Sequence, residues 1–117
     1  IGSTDDVLTI TGANGIKLIG GLDIQYDDIS SGISTFVLTD AYQFVDITNS
    51  STTVILLPEA DTRPGKQYII SKGYAGGSLT INTQTDDKID GSDTITLNNL
   101  NERISLTSSG VDKWLIV

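Results

Sequence analysis

Acidic side chains are the residues in this sequence whose type and spacing could do chemistry. They occur as pairs, Asp5–Asp6, Asp27–Asp28 and Asp86–Asp87. The last pair opens the run DDKIDGSD, which puts four carboxylates (Asp86, Asp87, Asp90 and Asp93) within eight residues. Clustered carboxylate oxygens on a flexible loop suit calcium. The run is not an EF-hand, because the Glu required at the twelfth position and the flanking helices are missing. The expectation is a solvated turn in which Asp side chains accept backbone hydrogen bonds, with no metal and no cofactor. Paired carboxylates about 5–9 Å apart can also hydrolyse glycosides. Sugar-cleaving sites need a groove lined with aromatics, however. The chain has seven aromatics, and Phe36, Phe44 and Trp114 sit in strand-like patterns. The sequence is therefore read as a non-enzyme.

The remaining chemistry is narrowed by composition. There is no Cys, hence no disulfide framework or thiol nucleophile, and no His, the commonest general base and transition-metal ligand. A serine triad, a zinc site and a redox site are not expected. The net charge of −8 leaves no basic patch to neutralise phosphates, so no nucleic-acid partner is expected. The same charge is repelled by an anionic membrane surface, and no apolar run approaches the ~20 residues of a membrane span. A chain that begins at Ile1 and contains no Met reads as a processed or excised product of a longer sequence. The sequon-like Asn49-Ser50-Ser51 is read as a turn.

These side chains must be positioned by strands. Residues 34–39, 43–48, 53–57, 67–72, 78–83, 94–97, 102–107 and 113–117 are short, rich in Thr, Ile and Val, and separated by turn-formers such as Arg63-Pro64-Gly65 and Asp90-Gly91-Ser92-Asp93. No sustained helical period occurs, and the one helical candidate, residues 59–62, meets Pro64 too early. Near the start, residues 7–10 and 16–19 flank Gly12-Ala13-Asn14-Gly15, a hairpin signal, and residues 22–26 alternate with period two. A polar break follows at residues 27–32. The expected fold is all-β, an antiparallel β-sandwich (jelly-roll-like). Residues 1–32 would form a shaft-like β segment and linker, and residues 33–117 the head domain.

Two or three strands at the N-terminus are too few to be stable alone. They must either dock on the main body or pair with copies of themselves, and the expectation is copies. A trimer would carry three times −8, or −24, charges. Burying ~1,000 Å2 of apolar surface at ~25 cal/mol per Å2 gives ~25 kcal/mol before entropic costs, enough to outweigh screened surface repulsion.

From residue 53 onward the order of motifs is distinctive: Leu57-Pro58, Pro64-Gly65-Lys66, Tyr68-Ile69-Ile70, Leu79-Thr80-Ile81, Lys88-Ile89-Asp90-Gly91, Ile104-Ser105-Leu106, then Gly110 before Trp114-Leu115-Ile116. This pattern resembles the C-terminal head domains of bacteriophage and large-virus fibre or tail proteins, and TGANGIKLIGGLDIQYDDISSG resembles the shaft that leads into such heads. The resemblance implies a β-structured homotrimer at the fibre or tail tip of a virion. It would attach to a glycan or protein receptor on a host surface, or serve purely as a structural trimerisation and folding module. Residues 113–117 then form either a subunit-facing strand or an ordinary core strand, and both need Trp114 buried.

If successive loops alternate between the two ends of a meander, those at residues 40–42, 59–66 and 84–87 share the end away from the shaft. That end offers Tyr42, Asp61, Arg63, Asp86 and Asp87 as receptor-binding residues. Tyr and Arg are favoured anchors in recognition.

Overall fold

Nearly every segment rich in β-branched residues becomes a strand. In the computed structural model, which describes residues 9–117, the strands are β1 (Tyr26–Ile29), β2 (Thr35–Val37), β3 (Phe44–Ile47), β4 (Val54–Leu56), β5 (Gln67–Lys72), β6 (Leu79–Asn82), β7 (Lys88–Ile89), β8 (Thr94–Leu97), β9 (Glu102–Ser108) and β10 (Lys113–Ile116). The helical candidate survives only as a single 3-10 turn, Ala60–Thr62. The fold is all-β and has two sheets. One has six strands in the order β1-β3-β5-β9-β10-β7, and the other has four in the order β2-β4-β6-β8.

The strand directions correct the antiparallel expectation. Odd-numbered strands from β1 to β5 lie side by side and parallel in the larger sheet, and β2, β4 and β6 do the same in the smaller. The chain therefore winds as a flattened coil, visiting each sheet once per turn. Period-two alternation fixes which face of a strand is buried, but it does not fix the direction of the neighbour. Here each connection crosses to the other sheet instead of reversing in the same one. The third turn ends the coil. β8 returns antiparallel to β6, β9 antiparallel to β5, and β10 antiparallel to β9, with β7 beside β10.

Register stacks inward-facing residues on one another within each sheet. Val45 lies beside Ile70, and Ile29 beside Ile47, then Lys72. Across the core, Phe36, Ile55 and Ile81 are neighbours. Most of these side chains are fully buried, together with Leu57, Tyr68, Leu79, Leu106 and Trp114. Lys72 is buried too. Its ammonium donates to the carbonyls of Tyr74 (2.7 Å) and Gly76 (3.0 Å) and sits 4.1 Å from the centre of the Tyr74 ring, so it fastens the 73–77 loop. Gly73 permits a close approach, since a Cβ there would lie 2.4 Å from an Asp46 carboxylate oxygen and 3.1 Å from the Ile47 carbonyl. The Asn49 sequon is a turn, as expected. Its side chain accepts the Thr52 amide (2.9 Å) and donates to the Ile29 carbonyl (3.1 Å).

The N-terminal region departs from expectation. Gly12–Gly15 does make a turn, closed by Gly15 N–H on the Gly12 carbonyl at 3.3 Å. Residues 16–19 and 22–25 form no strand, and residues 7–8 of the expected hairpin, with the Asp5–Asp6 pair, lie outside the described residues. The polar break at 27–32 instead holds most of β1, which pairs with β3. Residues 26–29, assigned from sequence to the shaft segment, are thus the edge of the larger sheet.

Candidate functional site

Because the coil repeats, its loops stack at two corners. Residues 38–43, 57–66 and 83–87 follow β2, β4 and β6 and gather at one corner, so the expected grouping of these loops holds, through winding and not through a meander. The corner is tied by hydrogen bonds between side chains and the main chain. Gln84 donates to the Leu57 carbonyl at 3.0 Å, and the Ala60 amide donates to an Asp87 carboxylate oxygen at 2.8 Å. The expected orientation does not hold. Phe44 N–H donates to the Gln25 carbonyl at 3.0 Å, so the incoming chain passes this same corner and the loops do not face away from it.

A cleft of about 660 Å3 opens between the first two corner loops, with Leu38, Pro58 and Ala41 as its apolar surfaces and Asp40, Thr62 and Arg63 as polar ones. The Arg63 guanidinium lies 3.1 Å from the Asp40 carboxylate. Their side chains are 36% and 55% exposed, so the pair contributes only about 0–1 kcal/mol to stability. Lys66 donates to the Asp40 carbonyl at 3.2 Å and lies 5.2 Å from the centre of the Tyr68 ring. Burial lowers the Lys66 pKa, and the neighbouring Arg63 lowers it further, against the opposing pull of Asp40. Beneath the cleft the Tyr68 hydroxyl donates to the Thr39 carbonyl at 2.9 Å. Burial, and then the Asp40 charge, push that hydroxyl up to about 12.

The five sequence-derived residues separate. Arg63 lines the cleft, and Asp61 is exposed on the same loop. Tyr42 is adjacent but half-buried, packed edge-on against Phe36 with ring centres 5.2 Å apart. Asp86 borders a second, smaller cleft with Lys88, Asp90, Asp112, Lys113 and Leu115. Asp87 is buried and spent on the Ala60 amide, which removes it from any surface patch. Sequence reasoning missed Asp40, Thr62 and Lys66. Asp40 stood in a loop already singled out, but its pairing with Arg63 depends on the coil.

The acidic run is likewise dispersed. Asp93 pairs with Lys88, Asp87 holds Ala60, and Asp90 accepts from the Ile116 amide at 3.4 Å. Among the described residues no group of three or more His, Cys, Asp or Glu is arranged to hold a metal ion. The main cleft thus offers a guanidinium, a carboxylate, hydroxyls and an apolar floor, a set suited to recognition by hydrogen bonding and contact. No protein-family model and no curated protein matches the chain.

Proposed function

We propose that the chain is the head of a virion fibre or tail tip that attaches to a glycan or protein on a host-cell surface, without catalysis. The observation that supports this reading is the cleft around Arg63 and Asp40. An exposed ion pair that does little for stability sits there beside an apolar floor, in a loop cluster held by the buried Ala60–Asp87 hydrogen bond and, from behind, by the Tyr68 hydroxyl on the Thr39 carbonyl. Pre-positioned polar groups of this kind reduce the ordering cost of binding. In this reading the two sheets act as the layers of a sandwich-like head and three copies assemble. The resemblance of residues 53–117 to fibre heads supplies the viral setting.

A second reading, a structural trimerisation module, is favoured by the exposed apolar side chains Ile16, Leu18, Leu22 and Ile24. The two differ in a direct assay. The isolated protein is applied to candidate host cells and to a glycan array, beside the Arg63→Ala variant. Attachment predicts saturable binding that falls at least tenfold in the variant. No binding by the wild type, together with trimerisation of an unrelated fused partner, would replace it with the structural reading.

A further inference from the structure

The two ends of the coil differ. The far end is covered by the antiparallel return of β8, β9 and β10, whereas among the described residues the near end stops at β1 and β2, the outermost strands of their sheets. The carbonyls of Gln25 and Ile29 accept from Phe44 and Thr48. In a parallel ladder the main-chain groups of Tyr26 and Asp28 therefore point to the open side. Ile29 and Phe36, the inward residues of this first turn, are only partly buried, while their counterparts Ile47 and Ile55 are fully buried. One more strand beside β1 would cover the open edge of the larger sheet.

Residues 16–19 have the pattern of that strand. Ile16 and Leu18 share one face and are 54% and 57% exposed, with Lys17 between them on the other. Four residues match the four of β1. The segment is joined to its own body through Gly20 and Gly21, both at positive φ (97° and 98°), a link that glycine alone adopts freely. The radius of gyration, 15.3 Å, exceeds the roughly 13 Å of a compact chain of this length, as a segment standing off the body requires.

We propose that residues 16–19 add as a strand to the open edge of β1 in a second copy of the chain. Charge selects this partner. Asp27 and Asp28 on an edge strand discourage indiscriminate pairing, and Lys17 is the sole cation in the first 62 residues. With Ile16 and Leu18 turned inward over Ile29, Lys17 faces outward on the same side as Asp28. Each copy gives one strand and accepts one, an exchange satisfied either reciprocally between two copies or head-to-tail around a closed ring. The inference rests on the multi-copy assembly proposed above but not on the attachment role.

The chain has no cysteine, so single substitutions report the contact cleanly. Full-length Lys17→Cys and Asp28→Cys proteins are mixed, oxidised mildly and run on a non-reducing gel. The expected result is a heterodimer linking one variant to the other, together with a light-scattering mass that drops to the 12.4 kDa of one chain in Leu18→Asp. Leu18 is exposed in its own chain, so that variant keeps its fold, checked by circular dichroism. A wild-type mass of one chain overturns the proposal, as does a disulfide that forms only within the Lys17→Cys/Asp28→Cys double variant. A multi-copy wild type without the mixed cross-link overturns the docking while leaving assembly in place, and cell binding is scored separately.

Discussion

The indole of Trp114 packs on the phenol ring of Tyr68, with ring centres 5.5 Å apart and planes tilted by 43°. Both side chains are buried. The indole N–H donates to the Pro58 carbonyl at 3.3 Å, and the Tyr68 hydroxyl to that of Thr39. One aromatic pair thus joins the C-terminal strand to both walls of the Arg63 cleft.

Trp114→Ala should cost about 3–5 kcal/mol, the range for emptying a large aromatic site. Domains of this kind have about 5–15 kcal/mol in total. Urea denaturation should therefore show a much lower midpoint, and removal of residues 114–117 should leave no folded protein. A truncated chain that stays soluble with a native near-ultraviolet spectrum would contradict this.

Tyr68 contributes to an alkaline loss of stability. Its pKa is raised to about 12 in the folded state, against an ordinary 10.0. A raised value contributes stability that is complete below pH 10 and is lost as pH rises from 10 through about 12. The loss should be on the order of 2 kcal/mol. Tyr68→Phe keeps the packing and should flatten this part of a melting-temperature profile, at the cost of the Thr39 hydrogen bond at neutral pH.

Gly73→Ala should destabilise by about 1–3 kcal/mol, as overpacking does. The added methyl would meet Asp46 Oδ1 at 2.4 Å and the Ile47 carbonyl at 3.1 Å. Among the described residues that Asp46 oxygen is buried without a partner, while the other accepts from the Tyr26 hydroxyl at 2.8 Å. In an Asp46→Ala background the same glycine substitution should cost at least ~1 kcal/mol less, a coupling that a double-mutant cycle reads directly. Equal costs in both backgrounds would remove the steric explanation.

Glu102 sets an acid-side dependence. Its carboxylate accepts the amides of Asn98 (2.8 Å) and Asn99 (3.0 Å), closing the turn between β8 and β9. These bonds lower its pKa, the Asn98 bond most. A lowered value contributes stability present above the ordinary 4.5 and lost as pH falls through the folded-state value. Glu102→Gln should melt lower than wild type at pH 7, and the two should converge under acid.

Strands were legible because Val, Ile and Thr alternate along them, and β5 and β8 have the predicted bounds. The buried position of Trp114 was legible for the same reason. The coil was not. Phe44 stacks on Tyr26, 18 residues earlier, but Ile69 stacks on Phe44 across 25 residues. The long second corner, residues 57–66, breaks the period, so no repeat stands out in the sequence. β1 was missed because Asp27 and Asp28 imitate a turn while sitting on an edge, where charge is tolerated. At the site, Arg63 was visible as an unusual cation in an acidic chain. Asp87 was misplaced because the sequence does not show that the Ala60 amide needs an acceptor inside the protein.

A coil whose turns touch only adjacent turns, spaced about 4.8 Å apart, makes molecular length a modular quantity. Duplicating residues 26–43 ahead of Tyr26 would lengthen the body by one such step. The aromatic clamp at the C-terminus would keep every present neighbour. Reach can therefore be tuned by gene duplication without rewriting the parts that close the structure.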